Sequence, residues 1–258
     1  MIGETENSSS LQFLKIRHRY GSRIVLEDIS FSARQGQWLI LFGESGSGKS
    51  TLLRIAAGLE RPEQGSVFML GSDQSMIPAH QRPIAWMSQT ADCYEHLSIA
   101  ENLAIAERLV RSHAPEQPID IASWRTELID ELRLAPLMTR KPSAISGGER
   151  QRVGIARALL SLRPILLLDE PLAHLNESMR EMLGRKLREW TRRMRMTVLY
   201  VTHDSLEAAQ LGDRMVILIG GRVEQVDAPK LIVDQPASQQ VAELTARLQR
   251  FGSVDIVR

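Results

Sequence analysis

Gly43-Glu44-Ser45-Gly46-Ser47-Gly48-Lys49-Ser50, followed by Thr51, fits the pattern G-x-x-x-x-G-K-[ST] at every defined position. A loop of this kind wraps a polyphosphate. Glycines let consecutive backbone N–H groups curl around an anion without Cβ clashes, and the helix that follows offers the positive end of its dipole to the same charge. Lys49 supplies a compact charge between the β- and γ-phosphates, and Ser50 a hydroxyl oxygen for Mg2+. Further on, the apolar run Leu166-Leu167-Leu168 ends in Asp169-Glu170. Asp169 is a hard oxygen ligand suited to Mg2+. Glu170 beside it can draw a proton from an attacking water as general base. Between loop and acidic pair lies Ser146-Gly147-Gly148-Glu149, a hydroxyl and two glycines at a helix start, which makes a second anion site. One chain acting on one nucleotide has no use for two.

The phosphate loop, the Ser-Gly-Gly-Glu element continuing as Arg150-Gln151-Arg152, and the Asp-Glu pair together resemble the ATP-binding cassette (ABC) ATPases, the motor subunits of ABC transporters, from about Leu11 to Leu248. The resemblance implies an α/β fold: a RecA-like P-loop NTPase core with an antiparallel β subdomain and an inserted α-helical subdomain over about residues 90–163. It implies ATP and Mg2+ as cofactors and ATP hydrolysis coupled to transport. Three more residues take roles by it. His203, in Tyr200-Val201-Thr202-His203-Asp204, would contact the γ-phosphate and the water; Gln89 would reach Mg2+ and the water; Tyr20 would stack on adenine. The Ser146–Glu149 signature would face ATP bound by a second ATP-binding subunit, so that two cassettes clamp two nucleotides head to tail in a twofold homodimer.

The same resemblance implies a membrane partner. Residues 90–102, Thr90 to Asn102, are similar to the importer segment that grips a cytoplasmic helix of a transmembrane permease subunit, with Glu95 where proline is usual. Gly220 to Val226 and Pro236-Ala237-Ser238 are similar to the end of the cassette in ATPases importing sugars, sulfate, ferric iron or polyamines. That implies a substrate-binding protein in the complex and a place at the inner face of the cell membrane. Those ATPases often continue into a regulatory β-domain, which a chain ending at Arg258 is expected to lack. One departure stands in the loop after Glu170, Pro171-Leu172-Ala173-His174-Leu175-Asn176: the family usually has Asp at the last position. Asn keeps the shape and loses the charge, which bears on communication between the two sites. An exporter or lipid-extraction ATPase, a soluble non-transport ABC protein and a non-hydrolysing regulatory cassette are the alternatives. The importer-like segment, the single cassette without long coiled-coil insertions, and the intact hydrolysis residues argue against them in turn.

These side chains need elements to hold them. Leu11–Arg17 and Ile24–Ala33 read as strands around a turn at Tyr20-Gly21-Ser22; Trp38–Phe42, Ile84–Ser88, Ile165–Leu168 and Thr197–Thr202 read as strands, three of them continuously apolar as buried parallel strands are. Lys49–Ala57 predicts a helix stopped by Gly58. Helical patterning covers Ser98–Leu134, broken by the polar stretch Ser112–Pro118, and Glu149–Leu160. Met179, Leu183, Leu187, Trp190 and Met194 fall on one face of an amphipathic helix. Met215–Ile219 and Arg222–Val226 flank Gly220-Gly221 as a hairpin, and two short helices follow Pro229.

The whole composition is compatible with this. The 258 residues are 43% hydrophobic, enough for a sizeable core, and the net charge of +1 offers no general attraction to nucleic acid or an anionic membrane. Arginine supplies 27 of the 32 basic side chains, a compositional bias. The single cysteine, Cys93, excludes an internal disulfide and suits a reducing compartment. No apolar run is long enough for a bilayer span. Residues 1–10 are expected to be a disordered tail without a signal-peptide core, and 249–258 a short C-terminal one. The expectation is a cytoplasmic protein held at the membrane by its partners.

Overall fold

The computed structural model of the chain describes residues 9–113 and 119–250. In chain order the strands are β1 (Ser9–Tyr20), β2 (Arg23–Arg34), β3 (Trp38–Phe42), β4 (Gln64–Met69), β5 (Ser72–Asp73), β6 (Ile84–Met87), β7 (Ile165–Asp169), β8 (Thr197–Thr202), β9 (Arg214–Ile219) and β10 (Arg222–Asp227). The helices are α1 (Lys49–Ala57), α2 (Ile99–His113), α3 (Ile121–Glu131), α4 (Gly147–Leu160), α5 (Glu177–Arg193), α6 (Ser205–Leu211), α7 (Pro229–Asp234) and α8 (Gln239–Arg250).

Six strands pair in the order β10-β9-β3-β8-β7-β6; only the β9–β10 hairpin is antiparallel. Alternate residues of the central strands point to opposite faces. Trp38, Ile40 and Phe42 of β3 and Tyr200 of β8 join the core under α2, α4 and α5. Leu39, Leu41, Leu199 and Val201 join the core shared with α1 and the second sheet. Because both faces are covered, the strands read as unbroken apolar runs. The second sheet is antiparallel, in the order β2-β1-β4-β5, so this is a mixed α/β fold with one mostly parallel and one antiparallel sheet.

The elements the sequence indicates are present, with shifted ends. β1 starts at Ser9, two residues inside the expected tail; residues 1–8 and 251–258, where the rest of the tail expectations fall, lie outside the described residues, as does 114–118 of the helix break. β6 stops at Met87 rather than Ser88, and α4 begins at Gly147 rather than Glu149. Met194 ends up as the C-cap of α5, outside the helix proper. Missing from the sequence reading are β4, β5 and α6. The first half of β4 is Gln-Gly-Ser, which has no strand pattern; pairing with β1 imposes the extended form. Seven residues make α6, held at its start by the Asp204 carboxylate, which accepts from Leu206 N and Glu207 N.

Candidate active site

Parallel pairing sets the site. Phe42 is level with Thr202, Val201 with Asp169, and Leu168 with Met87. The carboxyl ends of β3, β8, β7 and β6 therefore lie along one sheet edge, where ligands of such sheets bind. From that edge issue the phosphate loop, His203, Glu170 and Gln89.

The loop is shaped mainly by what Cβ atoms would hit. Gly48 has φ +102°, and a Cβ there would lie 2.6 Å from Leu26 Cδ2 and 2.9 Å from the Val25 carbonyl oxygen; only glycine fits. It is also the N-cap of α1 and provides no side-chain cap, leaving the first N–H groups of the helix free of side-chain partners. Glu44, Ser45 and Gly46 are exposed, while Ser47, Lys49 and Thr51 are buried. Lys49 Nζ donates to the carbonyls of Gly43 (2.8 Å) and Glu44 (2.7 Å). Burial pushes its pKa down, and the charges of Glu170, Asp169 and Glu44 oppose that shift.

Ser50 faces Asp169, whose carboxyl is pushed up by burial first and also by the neighbouring charge of Glu170, with the Ser50 hydroxyl opposing the rise. A buried carboxylate beside a hydroxyl at a phosphate loop is a hard oxygen donor set that fits Mg2+. Glu170 lies next in the chain with φ +48°, a left-handed backbone that costs a non-glycine residue about 1–3 kcal/mol and gathers at functional sites. Its amide is held by the Val201 carbonyl at 3.0 Å. Its side chain is gripped from both sides: Gln89 Nε2 donates to Oε2 at 3.3 Å, and His203 Nδ1 is 3.0 Å from Oε1. Gln89 and His203, assigned to the water on the strength of a resemblance, thus meet in space at Glu170, the base expected from its own chemistry. Tyr20 is 47% exposed; its ring packs edge-on to His18 at 4.9 Å, and its hydroxyl donates to Glu60, leaving a face open.

The family model described as ABC transporter matches residues 26–173, from β2 through the loop after Glu170. The chain belongs to the ABC transporter family. It is 36% identical over 242 residues to the sulfate/thiosulfate import ATP-binding protein CysA of Salmonella typhi, covering 94% of this chain and 66% of that protein. To the CysA of Xanthomonas campestris it is 38% identical over 239 residues, covering 93% of this chain and 70% of that protein. The chain therefore spans about two thirds of the length of these relatives. Among solved structures it is similar to an ATP-binding subunit of an ABC transporter (TM-score 0.79, 26% identity, 93% of this chain and 100% of that one). It is also similar to the dimeric post-hydrolysis state of an ATP-binding cassette bound to ADP and phosphate (TM-score 0.73, 26% identity, 85% and 98% covered).

The Ser146–Glu149 element, expected to be the signature, stands at the start of α4. Ser146 forms a capping box with Glu149: the serine oxygen accepts from Glu149 N at 3.3 Å and Ser146 N donates to the carboxylate at 2.7 Å. The two glycines differ. A Cβ on Gly148 would sit 3.0 Å from the His174 carbonyl oxygen, whereas one on Gly147 would touch nothing closer than 4.0 Å. Gly148 thus lets the loop after Glu170 lie against the signature, and packing within the chain does not require Gly147. Gln151, buried on α4, completes that contact by donating to the Glu170 carbonyl at 3.3 Å and accepting from His174 N at 2.9 Å. The sequence marks Gln151 only as a neighbour of the signature. Asn176 caps α5, accepting from Met179 N at 2.9 Å, as an aspartate would.

Proposed function

We propose that this chain is the ATP-binding and ATP-hydrolysing motor subunit of a bacterial ABC importer. One observation carries the reading: the Glu170 carboxylate is held between Gln89 and His203 at the sheet edge that bears Lys49, Ser50 and Asp169. In this role the loop from Gly43 to Thr51 binds the phosphates through its backbone, and Lys49 turns from its loop carbonyls to the β- and γ-phosphates. Ser50 and Asp169 would hold Mg2+, with Gln89 as a further ligand, and the ion would neutralise charge on the phosphate oxygens. Glu170, with Gln89 donating to one oxygen and His203 beside the other, keeps lone pairs free to orient a water and accept its proton. His203 donates to the γ-phosphate and Tyr20 stacks on the adenine.

The exposed signature at Ser146 and Gly147 supports a second ATP-binding subunit, each supplying its signature to the other's nucleotide. The relatives named for sulfate/thiosulfate import support the import direction. Permease subunits would dock on about residues 90–102, the helices of about residues 90–163 would form the arm that presents this surface, and a substrate-binding protein would complete the complex. No helix among the described residues is long and apolar enough to cross a membrane, which fits attachment to the inner face through the permease.

The test is Mg2+-dependent ATP turnover of the chain beside Glu170→Gln, with mass followed by light scattering. Removing the base should cut turnover by roughly 10²–10⁴ and leave an ATP-held dimer in the variant. Equal turnover in the two proteins would take Glu170 out of the role of base, and failure of the chain to bind Mg-ATP would overturn the reading as a whole.

A further inference from the structure

Arg180 lies in the first turn of α5 and has no part in the site described so far. Its guanidinium has two anchors. Nη2 donates to the Leu175 carbonyl at 3.3 Å, at the far end of the loop that begins with Glu170. Nη1 reaches Asp204 Oδ2 at 3.5 Å, in the turn immediately after His203.

The Asp204 end of this link is itself fixed. Asp204 Oδ1 accepts from Leu206 N and Glu207 N, and its own N–H donates to Thr202 Oγ1 at 3.0 Å. Thr202 Oγ1 donates onward to Glu207 Oε2 at 3.3 Å, and the buried Tyr200 hydroxyl donates to the other oxygen of that carboxylate. Both sequence neighbours of His203 are thereby tied down. The imidazole needs this, because its side chain is 62% exposed and receives little packing of its own. Apart from its contact with Glu170, it is aimed by the backbone on either side.

We propose that Arg180 is a positioning residue that sets the spacing between His203 and Glu170, by joining the turn that carries one to the loop that carries the other. The proposal rests on the ATPase reading given above. A planar guanidinium suits the task because its donors diverge at fixed angles, so two anchors are held at a fixed separation; a lysine ammonium is a single point on a flexible stem. The ion pair is partly exposed, 32% at Arg180 and 38% at Asp204, and such pairs add little to stability. The value of the contact lies in geometry, where a shift of about 1 Å can cost about 10²-fold in rate.

Three variants test it in the full chain: Arg180→Ala, Arg180→Lys and Asp204→Asn. Arg180→Ala should lower kcat about 10- to 100-fold while KM for ATP stays within about 2-fold and the unfolding midpoint moves by less than about 4 °C. Arg180→Lys should recover only part of the rate. Asp204→Asn should lower it too, and combined with Arg180→Ala should do no further harm, as members of one link behave. If Arg180→Ala does not fold, the lysine and asparagine variants carry the same comparison. Hydrogen exchange supplies a readout independent of hydrolysis: with Arg180 altered, residues 171–176 and 203–207 should exchange faster, and 43–51 should not. Faster exchange confined to the first turn of α5, or a kcat loss matched by an equal loss of stability, would reduce Arg180 to a structural residue. A wild-type chain without ATP turnover would reject the motor reading, and the exchange experiment would still decide the brace.

Discussion

Arg82 offers the sharpest test of how the phosphate-loop helix is supported. It is 6% exposed, and its guanidinium donates to four carbonyls: Ile55 and Ala56 at 2.8 Å each, Gln74 at 2.9 Å and Ile77 at 3.1 Å. Ile55 and Ala56 belong to the last turn of α1, whose carbonyls have no partner within the helix. The cation also complements the negative end of the helix dipole. Gly58 makes room for it, since a Cβ there would lie 2.6 Å from Arg82 Nε. In Arg82→Met the stem remains and the donors go. Ile55 and Gln74 keep another donor, from Gly58 N and Ile77 N, while Ala56 and Ile77 lose the one they have. At about 1–3 kcal/mol for the buried Ala56 carbonyl left unsatisfied, and less for the half-buried Ile77, the loss should be about 1–4 kcal/mol. Urea denaturation measures it directly, and thermal unfolding should fall by roughly 2–15 °C. Because the guanidinium grips the far end of α1 from the phosphates, ATP affinity of the folded fraction should be unchanged. A cost below about 1 kcal/mol, the level of an ordinary surface contact, would refute the reasoning, and so would a loss of ATP affinity without a loss of stability.

Tyr20→Ala should raise KM for ATP about 5- to 150-fold, the worth of one base stacked on an aromatic ring, and Tyr20→Phe should restore most of it; equal effects would assign the role to the hydroxyl bound by Glu60. Asp169→Asn should raise the unfolding temperature near neutral pH while abolishing Mg2+-dependent turnover. The folded chain holds the Asp169 proton more tightly than the unfolded one, so the wild type loses stability as pH rises from the ordinary aspartate value through the raised one. The advantage of asparagine should therefore fade as pH falls back through that window, and a less stable variant at neutral pH would contradict the burial argument. Asn176→Asp keeps the cap on α5 and adds a negative charge at a helix N-terminus, a gain of about 0.3–1 kcal/mol. Light scattering of ATP-held dimers in the Glu170→Gln background would show whether that charge also tightens the pair, and an unchanged dimer would confine Asn176 to capping.

Much of this molecule is legible in its residue order alone. The phosphate loop, the Asp169-Glu170 strand end and the signature are contiguous, so their chemistry is written in residue order. The continuous apolar runs of β3, β7 and β8 announce a sheet buried on both faces, since nothing polar need interrupt such strands. The resemblance extended that to Gln89 and His203, which lie far from the motifs in sequence.

Tertiary structure decided the rest, because it depends on pairing and on approach. Parallel register brought Gln89, Glu170 and His203 to one edge; in the sequence they are isolated residues at three strand ends. β4 is extended because β1 offers it hydrogen bonds, not because Gln-Gly-Ser favours a strand. Gly148 is a glycine because the His174 carbonyl passes 3.0 Å from where its Cβ would stand, a reason that lies twenty-six residues further along the chain. Arg82, Gln151 and Arg180 look like members of an arginine-rich, polar surface. Burial and carbonyls from distant segments turn them into the cap of the phosphate helix, the clasp on the signature and the brace behind His203. A sequence can state which groups a chain carries, but a hydrogen bond between distant segments exists only once the core has set their distance.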